Sequence, residues 1–433
     1  MTDETTPKPD NKNLLKHLRA SDIKGIAQLA THGTLGVTSI VEGAHQAVWS
    51  TLGLPGGKDP GTTRGISGMV FKTVQGITKL VGHGAEALLS HLQPMMESLD
   101  ADKEDSPERI AVLSALNGVI GDQLHANKNP LALPMTLRHQ GQALNWPLTE
   151  PLPLVNSKIL VLVHGLCMND LQWNTQIADA PELDHGTELA DALGYTPVYL
   201  RYNTGLHTSQ NGRELSQHLQ QLVSHWPVPV EEITIVAHSM GGLVSRSAIH
   251  YGQNNVDHST NGWLSFLKNI VFLGTPHHGA PLERAGNWVD VILGSTPFTK
   301  PYAKLGQVRS SGITDLRYGY VVDEDWQDHN RFHRKPDNRK HTALPETVRC
   351  FTVVATAASH RCSLADRLVG DGLVPLKSAL GQHDNRQRTL DFPKSSRSIA
   401  YSMNHMELLS NPEVTQQMLF WLSNGQKGQK LAS

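Results

Sequence analysis

The stretch Ile233 to Arg246, ITIVAHSMGGLVSR, restricts the folds open to this chain more than any other. A run rich in β-branched residues, Ile233 to Ala237, passes through His238-Ser239-Met240 straight into a helical pattern. A run of that kind suits a strand buried on both faces of a parallel sheet. The residues two before and two after Ser239 are Ala237 and Gly241, small enough for strand and helix to approach closely around a sharp turn with the serine at its apex. The usual pattern for such a turn is G-x-S-x-G; here alanine takes the first place and adds one methyl group.

The same alternation runs through most of the chain. Ile159–Val163, Thr196–Tyr202, Ile270–Leu273, Val348–Val354 and Ser398–Ser402 read as further strands, and Arg213–Trp226, Gly242–Tyr251 and Pro412–Trp421 as helices between and after them. Leu133–His139 and Gln142–Trp146, joined through Gly141, read as a hairpin that opens the sheet, and Ser106-Pro107-Glu108 as the capped start of a helix to Leu124. The predicted class is therefore α/β with a mostly parallel central sheet flanked by helices. Its expected extent is residues 105–425, after a tail (1–20) and an amino-terminal helical hairpin with linker (21–104), and before a short tail (426–433). In the hairpin, Met69, Val74, Ile77, Val81 and Leu88 form an apolar stripe at helical spacing, paired with Val37, Ile40, Val41, Ala44 and Val48 across the loop Leu54–Thr63. Docking of this stripe on the main domain is expected, with a membrane surface as the alternative.

Ser239 is the candidate nucleophile. A serine hydroxyl needs a neighbouring imidazole to take its proton, and the imidazole needs an acid to fix its tautomer. Asp371 lies between Gly370 and Gly372 in a loop after the strand ending near Val354, and His405 follows the last strand, so the chain order serine, acid, histidine is met. Asp366 is the competing acid, outside the glycine-flanked turn. The amide of Met240, at the start of the helix, and that of Leu166, just after the strand in ILVLVHGL, are the expected donors to a developing oxyanion.

Five pieces, VHGL (163–166), AHSMGG (237–242), GTPHHGAP (274–281), GDGLVP (370–375) and NHMELL (404–409), together resemble the lipase/esterase branch of the α/β-hydrolase superfamily, including bacterial triacylglycerol lipases and GPI-inositol-deacylase-like hydrolases. The resemblance implies an eight-stranded α/β-hydrolase fold, an acyl-enzyme mechanism on esters that are often lipid-like, and an oxyanion hole of Leu166 and Met240. His277 and His278, in GTPHHG, are then candidates for support of the triad, as are His164 and His238 beside the two oxyanion donors. Bacterial members often hold a calcium ion near the catalytic histidine, but only Glu407 lies close to His405, so neither a metal nor another cofactor is expected.

A formal charge of -2 gives no reason to expect a nucleic-acid partner, and three scattered cysteines, Cys167, Cys350 and Cys362, form neither a disulfide framework nor a ligand spacing. No signal-peptide core or membrane-spanning run is visible, so a cytoplasmic protein is expected, with peripheral membrane contact through the amino-terminal helices as the alternative. The long stretch 280–347 reads as a lid, with an apolar helical part at Ala285–Ser295 and a polar, solvated part at Asp323–Lys340. The expected activity is hydrolysis of hydrophobic acyl esters. Acyl transfer, polyester cleavage and a non-catalytic scaffold at a membrane surface are the alternatives.

Overall fold

Strand β3 (Lys158–Val163) and strand β5 (Glu232–His238) pair in parallel from Lys158↔Glu232 to Val163↔Ala237, and from Ile159 and Ile233 onward both are buried. This apolar pair is the centre of an eight-stranded sheet in a computed structural model that describes residues 19, 21–22, 24–25, 28, 106–147, 152, 155–175, 183–254, 262–280, 310–327, 337–359 and 370–429. Each fully buried aliphatic side chain in such a layer contributes about 1.5–3 kcal/mol relative to exposure, which explains why the continuous apolar runs went to the middle. The other strands are β1 (Thr136–His139), β2 (Gln142–Ala143), β4 (Tyr195–Arg201), β6 (Leu267–Leu273), β7 (Arg349–Thr356) and β8 (Arg397–Tyr401). The order across the sheet is β2-β1-β4-β3-β5-β6-β7-β8, with β1 antiparallel to β2 and β4 and the rest parallel. The predicted α/β class and mostly parallel sheet are met.

The chain divides into two compact units, Met1–Leu133 with Val289–Val308, and Pro134–Trp288 with Arg309–Ser433. In the first, helix α1 (Pro107–Ala126) starts as expected, with the Ser106 side chain accepting from the Arg109 amide and proline in the first turn. Arg109 also forms a two-pronged ion pair with Asp22, its Nε 2.8 Å from Oδ2 and its Nη2 2.6 Å from Oδ1. The amino-terminal hairpin, the linker before Ser106, the first lid segment at 285–295, Asp366 and Cys362 lie outside the described residues.

The second unit holds the sheet, α2 (His185–Leu193), α3 (Thr208–His225), α4 (Met240–Asn254), α5 (Ser311–Tyr318), α6 (Asp323–Trp326), α7 (Leu376–Ala379) and α8 (Pro412–Gln429). Three stretches differ from the sequence reading by more than three residues or in kind. Helix α3 begins at Thr208 rather than Arg213, because the buried Asp315 carboxylate accepts from the Thr208 amide at 2.7 Å and so satisfies the first turn from outside the helix. Helix α8 continues past Trp421 to Gln429. The polar stretch from Asp323 is not simply a solvated loop: it opens as α6, Asp325 is buried and accepts from the amides of Val321, Val322 and Lys340, and Trp326 stacks on His207 and donates to Ser209. Residues 328–336 of that stretch, with His329, Phe332 and His333, lie outside the described residues. Among the described residues, no helix is long and apolar enough to cross a membrane.

Candidate active site

The predicted triad residues and oxyanion donors follow the carboxyl ends of parallel strands, where open α/β sheets place their ligands. Ser239 directly follows β5 in the left-handed region, φ 55°, and its amide donates to the Leu273 carbonyl at 2.8 Å. A serine held there stores on the order of 1–3 kcal/mol of strain, which the surrounding packing must maintain. The requirement for small neighbours is met literally: a Cβ on Gly241 would lie 2.4 Å from the Val163 carbonyl oxygen and 2.7 Å from that of His164. The elbow is thus pressed against the turn after β3, where a Cβ on Gly165 would meet Ser239 Cβ at 3.0 Å.

That turn carries Leu166, and its shape is fixed by Cys167, at φ 59°, whose amide donates to Thr204 Oγ1 at 3.0 Å. The amides of Leu166 and Met240 have no hydrogen-bond acceptor among the described residues, as oxyanion donors require. Below the turn, Asp170 is buried and takes the Arg201 guanidinium at 2.5 and 3.1 Å and Arg138 Nε at 3.3 Å. These three residues lie far apart in the sequence, so no local signal pointed to them.

Asp371 sits between Gly370 (φ 53°) and Gly372 (φ 91°), conformations that glycine adopts freely. One carboxylate oxygen accepts from the amides of Leu373 at 2.9 Å and Val374 at 2.7 Å; the other lies 2.6 Å from His405 Nδ1. Both side chains are buried. The imidazole in turn rests on Gly274, where a Cβ would stand 3.0 Å from both its Nδ1 and Cε1, and Gly274 directly follows the Leu273 that holds the serine amide. The structure therefore brings Ser239, Asp371 and His405 to one place. The Ser239 hydroxyl is buried and has no hydrogen-bond partner among the described residues. Glu407 is used locally, its carboxylate accepting from the Asn404 amide at 2.6 Å to close the turn that carries His405.

The model of the PGAP1-like alpha/beta domain family matches residues 155–363, which contain the elbow and the Leu166 turn. The sheet has the α/β-hydrolase fold. The strand order and the serine at the elbow agree with that fold. Solved structures to which the chain is similar include a mature-form lipase of Bacillus licheniformis, at 18% identity over 63% of this chain and 95% of that one with a TM-score of 0.39. Aspergillus fumigatus lipase B is similar at 10% identity over 92% of this chain and 84% of that one, TM-score 0.40, and a phospholipase of Legionella pneumophila at 13% over 51% and 45%, TM-score 0.31. No curated protein matches the sequence.

Four histidines were expected to support the hydrolase site, and they divide. His238 joins it: its Nε2 meets the His405 carbonyl at 3.1 Å and its ring centroid lies 4.7 Å from that of His405. Burial, then the neighbouring His405, holds His238 well below the usual histidine range, so it is neutral and donates from Nε2. His164 stacks on Tyr202, whose hydroxyl donates to the His164 carbonyl, and burial lowers its pKa to about 4. His277 and His278 are engaged elsewhere. His277 packs edge-on against Phe272, and His278 Nε2 meets the Gly381 carbonyl at 3.0 Å.

Proposed function

We propose that the chain is a serine carboxylic-ester hydrolase. The observation that carries this reading is the buried 2.6 Å contact between His405 Nδ1 and Asp371, held beside a serine in a strained turn. Asp371 fixes the proton on Nδ1, which leaves Nε2 of His405 to take the Ser239 proton as Oγ attacks the ester carbonyl. The amides of Leu166 and Met240 stabilise the oxyanion. Collapse of the tetrahedral intermediate expels the alcohol, which takes the proton back from His405, and leaves an acyl group on Ser239. Water, deprotonated by the same imidazole, then releases the acid. The resemblance of the motifs to lipases extends the reading to hydrophobic, lipid-like acyl esters.

The test is turnover of p-nitrophenyl esters from short to long acyl chains. Wild type is expected to hydrolyse them and Ser239→Ala to lose activity by several orders of magnitude with its fold intact. Equal activity in Ser239→Ala would reject the assignment.

A further inference from the structure

The base of the proposed reaction stands on a turn that strand pairing alone does not place. His405 follows β8, and β6 and β7 lie between β8 and β5, the strand before the serine elbow. At about 4.8 Å per strand spacing the turn has to bridge about 14 Å to bring an imidazole to Ser239. A misplacement of about 1 Å costs on the order of 10²-fold in rate, so the turn needs firm support.

Its shape is set locally. Asn404 Oδ1 accepts from the amides of Met406 and Glu407 at 2.9 and 3.1 Å, and Glu407 accepts from the Asn404 amide. Its place is set from other elements. His238 reaches the His405 carbonyl from the elbow, and His185 reaches the Leu408 carbonyl from α2, its Nε2 at 2.9 Å. Leu408 is tied to the base by packing: a Cβ on Gly274 would stand 2.8 Å from Leu408 Cδ1 and 3.0 Å from two atoms of the His405 ring. Both side chains therefore rest on one backbone position.

His185 is fully buried at the start of α2, and its two ring nitrogens have opposite duties. A carbonyl can only accept, so Nε2 carries the proton; Nδ1 then accepts from the Thr415 hydroxyl of α8 at 2.8 Å. Burial lowers its pKa to about 4, so the ring is neutral and keeps that tautomer. The helix that carries it is anchored in turn: its cap, Asp184, accepts from the Gly186 amide at 2.6 Å and from the Tyr199 hydroxyl of β4 at 2.8 Å. Because β4 lies beyond β3 from β5, His185 ties the turn to a part of the sheet that β8 does not touch.

We propose that His185 is a positioning residue for the general base, holding the Leu408 carbonyl, and with it the turn of His405, where proton transfer from Ser239 requires it. The proposal rests on the catalytic reading above. A rigid ring that gives one hydrogen bond and takes another fixes the turn against α2 and α8 together. An aliphatic residue of similar size would fill the space and leave the carbonyl unpaired.

The test is turnover per active site, with sites titrated by a fluorophosphonate, so that loss of folded protein does not register as loss of rate. In His185→Leu, kcat for a p-nitrophenyl ester is expected to fall by about 10-fold to 10²-fold, with KM within about twofold of wild type. His185→Gln, which keeps a donor near the Nε2 position, should recover most of that loss. Should His185→Leu not fold, Thr415→Val, which removes the hydroxyl facing Nδ1 at the same shape, is expected to lower kcat likewise and Thr415→Ser to restore it. Nitrogen NMR of the histidine rings reads the bond without any activity, and should show the His185 proton on Nε2. A folded His185→Leu or Thr415→Val within about threefold of wild type, a His185→Gln no better than His185→Leu, or a His185 proton on Nδ1 overturns the proposal. The two readings fail separately. Full activity in Ser239→Ala removes the catalytic reading and this proposal with it, whereas an inactive Ser239→Ala beside an undiminished His185→Leu removes this proposal alone.

Discussion

Replacing Asp371 by asparagine tests the catalytic geometry at its most determinate contact. One oxygen of Asp371 accepts two backbone amides, from Leu373 and Val374, and the other faces His405 Nδ1. Only the carbonyl oxygen of an asparagine can satisfy those two donors, so its NH2 group must turn toward the imidazole. A donor facing Nδ1 forces that nitrogen to be the acceptor and moves the histidine proton to Nε2, the position that has to receive the serine proton. The expected loss in kcat is on the order of 10⁴-fold, about 5.4 kcal/mol at 1.36 kcal/mol per decade. The two amide bonds survive, and the exchange of a charge-assisted contact for a neutral one costs about 1–3 kcal/mol of stability. In a unit of this size that lowers the thermal midpoint by several degrees at about 2–4 °C per kcal/mol. The assay is p-nitrophenyl ester turnover, normalised by circular dichroism and by thermal denaturation. A folded Asp371→Asn protein within about tenfold of wild type would refute the tautomer argument.

Further outcomes follow from the same contacts. A fluorophosphonate probe is expected to label Ser239 alone, checked by peptide mapping; modification at another serine would point to a different nucleophile. In Gly241→Ala the new methyl meets two backbone carbonyl oxygens that cannot swing away, so a loss of about 1–3 kcal/mol is expected together with impaired turnover, read from denaturant midpoints and kcat. Acid should destabilise the fold: burial lowers His164 and His185 from 6.5 to about 4, so both stay neutral in the folded protein while the unfolded chain takes up protons. Their stabilisation is complete above pH 6.5 and lost as pH falls toward about 4, on the order of 3 kcal/mol each, which a urea midpoint measured across that window would detect.

The legible parts of this protein are those written in short stretches. The strand, serine and helix of 233–246 are contiguous, and the need for small residues beside Ser239 is visible as Ala237 and Gly241. Asp371 announces itself through the glycines on either side, and the turn they make places its carboxylate against His405. Strand centres were readable because a doubly buried strand leaves no polar face, whereas some of their ends shifted by up to three residues where pairing with a neighbour, not composition, sets the limit. What could not be read depends on partners distant in sequence. The start of α3 is set by Asp315, the Leu166 turn is braced by Asp170 with Arg201, and His185 meets the Leu408 carbonyl only through the fold. His238 sits next to the serine, but its bond to the His405 backbone crosses 167 positions.

The position of the histidine just beyond β8 has a temporal consequence. Ser239 follows the central strand β5, while His405 follows the strand at the edge of the sheet, which pairs with β7. Contacts over such sequence separations form late in folding, after local helices and the apolar centre have condensed. On refolding from denaturant, the far-ultraviolet signal should therefore return before the ability to react with a phosphonate does. Recovery of that reactivity is a clock for closure of the carboxy-terminal edge of the sheet.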